Sequence, residues 1–272
     1  MNQITLNNGI DIPQIGLGVY QTPLGSGTVN AVKWAIEAGY RHIDTAKVYG
    51  NEGDVGTGIF QSGVPREDIF LTTKLWNDDV REGRTKEAFE ESLEALQTDY
   101  VDLYLIHWPV DGFEMAWLIM EELYKEGKIR AIGLSNFHEE HLDRLMKVAS
   151  VTPAVNQIES HPYMNNQSLI DFNHSLGIEV EAWRPLGGTG GNLLEDAELK
   201  QIANKYGKSV ADIVLRWDIQ RGVIVLPKST HKDRIASNID VFDFCLDGED
   251  MERINQLNRD VRLGPNPDDF TF

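Results

Sequence analysis

The sequence predicts an α/β fold in a single domain over residues 1–272: a closed (β/α)8 TIM barrel with an N-terminal β-hairpin and two extra helices. Three observations predict it. Eight short strand-like runs alternate with amphipathic helical runs, which is how a parallel sheet is written in sequence. The chain has 272 residues, and eight strand–helix units take roughly 250. Three successive runs end on an ionisable residue: Arg41-His42-Ile43-Asp44, Ile69 to Lys74, and Val101 to His107. An open doubly wound sheet also alternates. Ionisable residues at successive strand ends favour the barrel, which builds its site at one mouth.

In chain order, Ile4-Thr5-Leu6 and Ile10-Asp11-Ile12 flank Asn7-Asn8-Gly9, a hairpin signal because Asn and Gly tolerate positive φ. This hairpin is expected to plug one end. Strand runs then fall at 14–20, 41–44, 68–74, 101–107, 129–135, 154–159, 178–184 and 222–228. Between them, Val29/Val32/Ile36, Phe89/Leu93/Leu96 and Leu142/Leu145/Met146/Ala149 recur at helical spacing, one apolar stripe each. Two helical patterns, 194–206 and 209–220, precede the last strand, so one is an addition to the eight-unit plan. Ser209 and Asp212 form a capping pair for the second. A final helix near 248–258 carries Met251, Ile254 and Leu257, and residues 264–270 read as a loop.

The net charge is −18. So acidic a surface disfavours nucleic acid and anionic membrane but leaves room for a local basic patch. The single cysteine, Cys245, rules out an intrachain disulfide and is expected to pack as an apolar residue. No apolar run approaches the ~20 residues of a membrane span, and the N-terminal residues lack the pattern of a signal peptide. A cytoplasmic monomer is the expectation.

Asp44, Tyr49, Lys74 and His107 suggest chemistry as a group. A Lys paired with an Asp stays charged and lowers the pKa of a neighbouring Tyr, which makes that Tyr a better proton donor. His107 is placed to orient a carbonyl oxygen. Taken singly, Tyr49 also fits an ordinary loop tyrosine, and Lys74 a strand-end cation. No activated Ser or Cys supplies a nucleophile, so a hydride from a cofactor would complete the set. The chain lacks Gly-x-Gly-x-x-Gly, since Gly16-Leu17-Gly18 runs on into Val19-Tyr20-Gln21. A nicotinamide cofactor must therefore be held otherwise. Lys228, Ser229 and Arg234 at a helix start suit a phosphate. Ser135, Asn136 and Gln157 suit a carboxamide, and Trp183 a flat ring, although a strand Trp also fits the core.

These segments resemble the aldo-keto reductases, and within them the bacterial 2,5-diketo-D-gluconate reductase group. Gly39 to Ala46 followed by Tyr49-Gly50-Asn51-Glu52 is similar to the first signature, and Asp102 to Pro109 to the second. Residues 132–137, 156–159 with His161-Pro162, and 224–229 resemble further segments. The resemblance runs from about Ile4 to Phe270. It implies Tyr49 as proton donor, Lys74 and Asp44 as its tuners, and His107 as substrate-orienting residue. It implies NADPH as cofactor, with NADH secondary, held by Ser135, Asn136, Gln157, Trp183, Arg184, Leu186, Lys228, Ser229, Arg234 and Asn238. Tyr20, Trp76 and Trp108 correspond to substrate-pocket aromatics beside His107, and no metal is implied.

Some positions depart from the family pattern. Ser237 stands where many relatives carry Glu, His231 where some carry a basic residue, and Arg184 where many have Ser or Gly. Residues 110–115 and 187–194 are short, which predicts an open pocket and easy cofactor exchange. The implied activity is reduction of aldehydes or ketones, among them diketo sugar acids, diketones or aromatic aldehydes. Two alternatives stay open: a Schiff-base lyase using Lys74, and a non-catalytic NADPH-binding sensor or partner subunit.

Overall fold

The computed structural model describes residues 2–188, 191–270 and 272. An antiparallel hairpin, β1 (Gln3–Thr5) and β2 (Asp11–Pro13), precedes eight parallel strands. These are β3 (Leu17–Gly18), β4 (His42–Asp44), β5 (Phe70–Leu75), β6 (Val101–Ile106), β7 (Ile129–Ser135), β8 (Val155–Glu159), β9 (Glu179–Trp183) and β10 (Ile224–Leu226). They pair in chain order. The ring closes where the residues before β3 meet β10: Ile15 bridges Val225 in parallel, and Gly16 N–H donates to the Val225 carbonyl at 2.9 Å. All eight strands fall inside the ranges read from sequence, give or take a residue at each end.

The helices are α1 (Ser26–Glu37), α2 (Glu52–Ser62), α3 (Asn77–Arg81), α4 (Thr85–Leu96), α5 (Phe113–Lys125), α6 (Glu139–Leu145), α7 (Gln167–Ser175), α8 (Ala197–Tyr206), α9 (Val210–Gln220), α10 (Lys232–Ile239) and α11 (Gly248–Asn255). Their inner faces and the outer faces of the strands form the largest apolar cluster. In α1 the buried set is Thr28, Ala31, Val32, Ala35 and Ile36, the three- and four-residue spacing that one helical stripe requires. The α9 cap is reciprocal: Ser209 Oγ accepts from Asp212 N–H, and Asp212 Oδ2 accepts from Ser209 N–H. The helix expected over 194–206 starts at Ala197, behind a 3-10 turn at Leu193–Glu195, because Asp196 caps it through the amides of Glu198 and Leu199.

The hairpin is the plug the sequence suggested. Leu6 and Ile12 pack with Leu103, Leu105, Ala131, Val155 and Ile224, the apolar interior at the N-terminal end of the strands. Asn7 Nδ2 fixes the turn by donating to the Pro153 and Gly177 carbonyls, at 2.8 and 3.0 Å. One end of the barrel is therefore sealed by apolar side chains. Asp102 belongs to the scaffold: its carboxylate accepts from Arg66, Arg130 and the Leu71 amide, all within 2.9 Å.

Cys245 departs from expectation. It is exposed, with an Arg216 guanidinium nitrogen 2.8 Å from its sulfur. Its segment is irregular chain on the outside, where Val241 and Leu246 take the buried positions.

Candidate active site

At the C-terminal ends of the strands the interior turns polar. Asp44 ends β4, Lys74 lies one residue before the end of β5, and both are buried. Lys74 Nζ donates to both Asp44 oxygens, at 2.7 and 2.8 Å, and to the Thr45 carbonyl at 2.8 Å. An ammonium has three hydrogens, and these acceptors occupy all of them. Burial is the largest influence on the Lys74 pKa and lowers it, but the Asp44 charge, the Tyr49 charge and the hydrogen bond to Asp44 together outweigh it and leave the pKa raised. Lys74 is thus held as a cation.

Tyr49 follows β4 on a 3-10 turn, Lys47–Tyr49, that Gly50 ends at φ 68°. A residue with a Cβ would be strained there, so the turn fixes where the Tyr49 ring leaves the chain. Lys74 Nζ lies 5.2 Å from the centre of that ring, and the His107 ring stands edge-on to it at 5.7 Å. The four residues named from sequence therefore converge. One expectation reverses. Burial dominates at the Tyr49 hydroxyl and pushes its pKa up to about 12, with the Lys74 charge pulling the other way. The cation limits the rise instead of producing a net fall.

His107 sits just past β6, its Nδ1 buried without a partner among the described residues. Burial, then the Lys74 charge, holds its pKa well below the usual 6.5. The ring is neutral, and Nε2 is the nitrogen left for a ligand. Neutral His107 therefore stabilises the fold above about pH 6.5, and that contribution is lost as pH falls toward its folded pKa. The loss runs at about 1.4 kcal/mol per pH unit. In denaturant titrations from pH 6 to pH 5, His107→Gln is expected to lose about 1 kcal/mol less than wild type. Equal losses would mean His107 protonates without cost.

The carboxamide candidates also meet. Ser135 ends β7, Asn136 follows it at φ 66°, and Gln157 is the central residue of β8. Asn136 Nδ2 donates to the His107 carbonyl and to Ser135 Oγ, both at 3.0 Å, while its Oδ1 accepts the Trp183 indole N–H at 2.8 Å. Trp183 is thereby fixed at the end of β9. Gly264 lies against that indole so closely that a Cβ there would come within 2.3 Å of it. Glu159 holds the approaching segment by accepting from the Leu263 and Gly264 amides, at 2.7 and 3.3 Å. Arg184, in left-handed conformation at φ 53°, donates to the Leu263 carbonyl, and its guanidinium is 5.6 Å from the Trp183 ring centre. Leu186 is half-buried beside them. The short segment 187–194, expected to leave the pocket open, lies only partly within the described residues.

The phosphate candidates form a separate group at the start of α10. Among the described residues no side chain caps that helix, so its first amides are open to an anion. Lys228 and Arg234 are exposed, and among the described residues neither has an ion-pair partner. Ser229 is buried, its hydroxyl accepting the His231 amide at 3.1 Å, and Asn238 is buried one helical turn beyond Arg234. Two unpaired cations beside open helix amides, on a chain of net charge −18, are the donor set a nucleotide phosphate needs.

The pocket wall holds more than the three aromatics read from sequence. Tyr20 packs on Tyr49 at 4.9 Å, and Trp76 stands edge-on to His107 at 5.3 Å. Phe272 stacks on Trp76 at 6.0 Å, and Phe270 packs on Trp108 at 4.9 Å. Arg81 and Asn77 hold the Phe272 carbonyl at 2.9 and 3.3 Å. Two phenylalanines in an otherwise polar tail were the signal that this segment docks. Glu181 and His42, buried beneath the Asp44–Lys74 pair, were also missed.

Residues 14–259 match the sequence profile of the aldo/keto reductase family. A glyoxal reductase of Bacillus subtilis (strain 168) is 51% identical over 270 residues, covering 99% of this chain and 97% of the relative. A methylglyoxal reductase of Escherichia coli (strain K12) is 46% identical, covering 98% and 97%. Among solved structures, an aldo-keto reductase enzyme from a Medee basin deep-sea metagenome library superposes with a TM-score of 0.96 at 44% identity. It covers 99% of this chain and 100% of its own.

Proposed function

The chain belongs to the aldo/keto reductase family, and from that premise we propose that it reduces small aldehydes and ketones to alcohols with NADPH, Tyr49 giving the proton. The observation that carries the reading is the Asp44–Lys74 ion pair lying 5.2 Å beneath the Tyr49 ring, with neutral His107 across from it. A bound nicotinamide supplies the hydride for the carbonyl carbon. The chain's own residues handle the oxygen. His107 Nε2 orients it. Tyr49, its pKa raised, keeps its proton until negative charge develops on that oxygen and then donates it. The Lys74 charge stabilises the resulting phenolate, and Asp44 keeps Lys74 cationic. Solvent returns the proton to Tyr49.

Ser135, Asn136, Gln157 and Trp183 are assigned to the nicotinamide end. Leu186 and Arg184 line the edge, and Lys228, Ser229, Arg234 and Asn238 take the adenosine phosphate. The aromatic wall of Tyr20, Trp76 and Trp108 suits small uncharged carbonyl compounds. Glyoxal and methylglyoxal, for which two relatives are named, head the substrate panel. A Schiff base on Lys74 is disfavoured because that amine is a paired cation with every hydrogen engaged.

A carbonyl panel run with NADPH and with NADH tests the reading. No turnover with any member would leave only the non-catalytic alternative. Arg234→Ala is expected to raise the KM for NADPH about tenfold or more, as loss of a charged phosphate contact should. The KM for NADH should hardly move. Equal losses would place recognition of the 2′-phosphate elsewhere.

A further inference from the structure

Gln157 Nε2 donates to two acidic side chains at once, Asp44 Oδ2 and Glu181 Oε2, each at 2.9 Å. Only an amide nitrogen fits between two carboxyl oxygens, so the orientation of the amide is fixed by its neighbours. Both its hydrogens are engaged. Its carbonyl atom, Oε1, accepts no hydrogen bond among the described residues.

Asp44 has Lys74 as counter-ion, and among the described residues Glu181 has no permanent cation paired with it. Glu181 is fully buried at the middle of β9. The titratable groups facing it are His42 and Asp44 from β4 and Lys74 from β5. Burial and then the Asp44 charge push its carboxyl pKa up, so it carries a proton at neutral pH. Oε2 already accepts from Gln157, which leaves the proton on Oε1. Among the described residues that atom has no hydrogen-bond partner, and it lies 3.5 Å from His42 Nε2. Burial holds His42 neutral, its pKa lowered to about 3. A neutral carboxyl group here accepts from Gln157 without setting a second anion beside Asp44.

We propose that Glu181 is a positioning residue that, together with Asp44, locks the Gln157 amide so that its carbonyl oxygen is a fixed acceptor for the carboxamide N–H of a nicotinamide. This rests on the reading of the site as a nicotinamide-dependent reductase. Without Glu181 one amide hydrogen loses its acceptor, and the single remaining bond to Asp44 holds the amide plane, and with it the carbonyl oxygen, less firmly. The cost falls on ligands with a carboxamide and spares the phosphate end of the cofactor.

Calorimetric binding of NADPH and of 2′-phospho-ADP-ribose, which lacks the nicotinamide ring, tests the assignment in wild type, Glu181→Leu and Glu181→Gln. In Glu181→Leu the Kd for NADPH should rise about tenfold, with 2′-phospho-ADP-ribose unchanged. That second ligand also reports that the variant is folded. Glu181→Gln should recover NADPH binding, because its amide oxygen accepts from Gln157. Equal weakening of both ligands in the Leu variant, wild-type binding of both, or a Gln variant as impaired as Leu would each overturn the proposal. Failure of the wild-type chain to bind NADPH would overturn the parent reading as well.

Discussion

Tyr49→Phe is expected to cut turnover by about 10³-fold or more while NADPH binding stays within about twofold of wild type. A positioned general acid contributes roughly 10² to 10⁴, and phenylalanine keeps the ring that packs on Tyr20 and His107. Only the hydroxyl is lost, so the defect should appear in kcat. Single-turnover reduction of methylglyoxal, set beside NADPH titration by tryptophan fluorescence, separates the two quantities. Turnover near wild type would remove Tyr49 from the donor role. Because burial holds the Tyr49 pKa high, a declining alkaline limb in the wild-type rate should not trace to this residue until pH nears about 12.

Lys74→Met is expected to be the most damaging single change to the fold. It leaves the buried Asp44 carboxylate without its cation, and breaking a buried pair from one side costs about 3–5 kcal/mol. Turnover should fall with it, since the phenolate of Tyr49 loses the charge that stabilises it. Adding Asp44→Asn should restore much of the stability, because no buried charge then remains, yet none of the activity. Urea unfolding of the two single variants and the double variant measures this cycle. If Lys74→Met alone unfolds like wild type, the ion pair is not the structural element it is taken to be.

Much of this was readable in the residues. Eight apolar runs with breakers between them give eight strands, because a barrel strand is buried on both sides and reads as continuous. Asp44, Lys74 and His107 were conspicuous because an ionisable side chain at the end of such a run has little reason to be there structurally. The same double burial hid Glu181. Glu179-Val180-Glu181 reads as a strand with polar residues facing solvent, yet Glu181 faces the barrel interior. Nothing in one strand's alternation says which side that is. The Tyr49 pKa was misjudged for a related reason, since its two opposing causes, enclosure and a nearby cation, depend on distances that spacing does not carry. Phe270 and Phe272 were passed over because Gly, Pro and Asp around them signal irregular chain, and irregular chain can still dock through aromatics. Cys245 erred the other way: apolar neighbours in sequence suggested packing, but no regular element holds that segment against the core.

The seam between Ile15 and Val225 also bears on biosynthesis. Asp44, Tyr49, Lys74 and His107 all come from the first 107 residues, whereas the residues assigned to the cofactor run from Ser135 to Asn238. A chain leaving the ribosome N-terminus first presents the four residues proposed to act on the carbonyl before those proposed to hold the cofactor. The strand edge at β3 stays unpaired until β10 has been translated, some 200 residues later. Any sheet formed before then has β3 as a bare edge, the kind of edge that pairs with another chain.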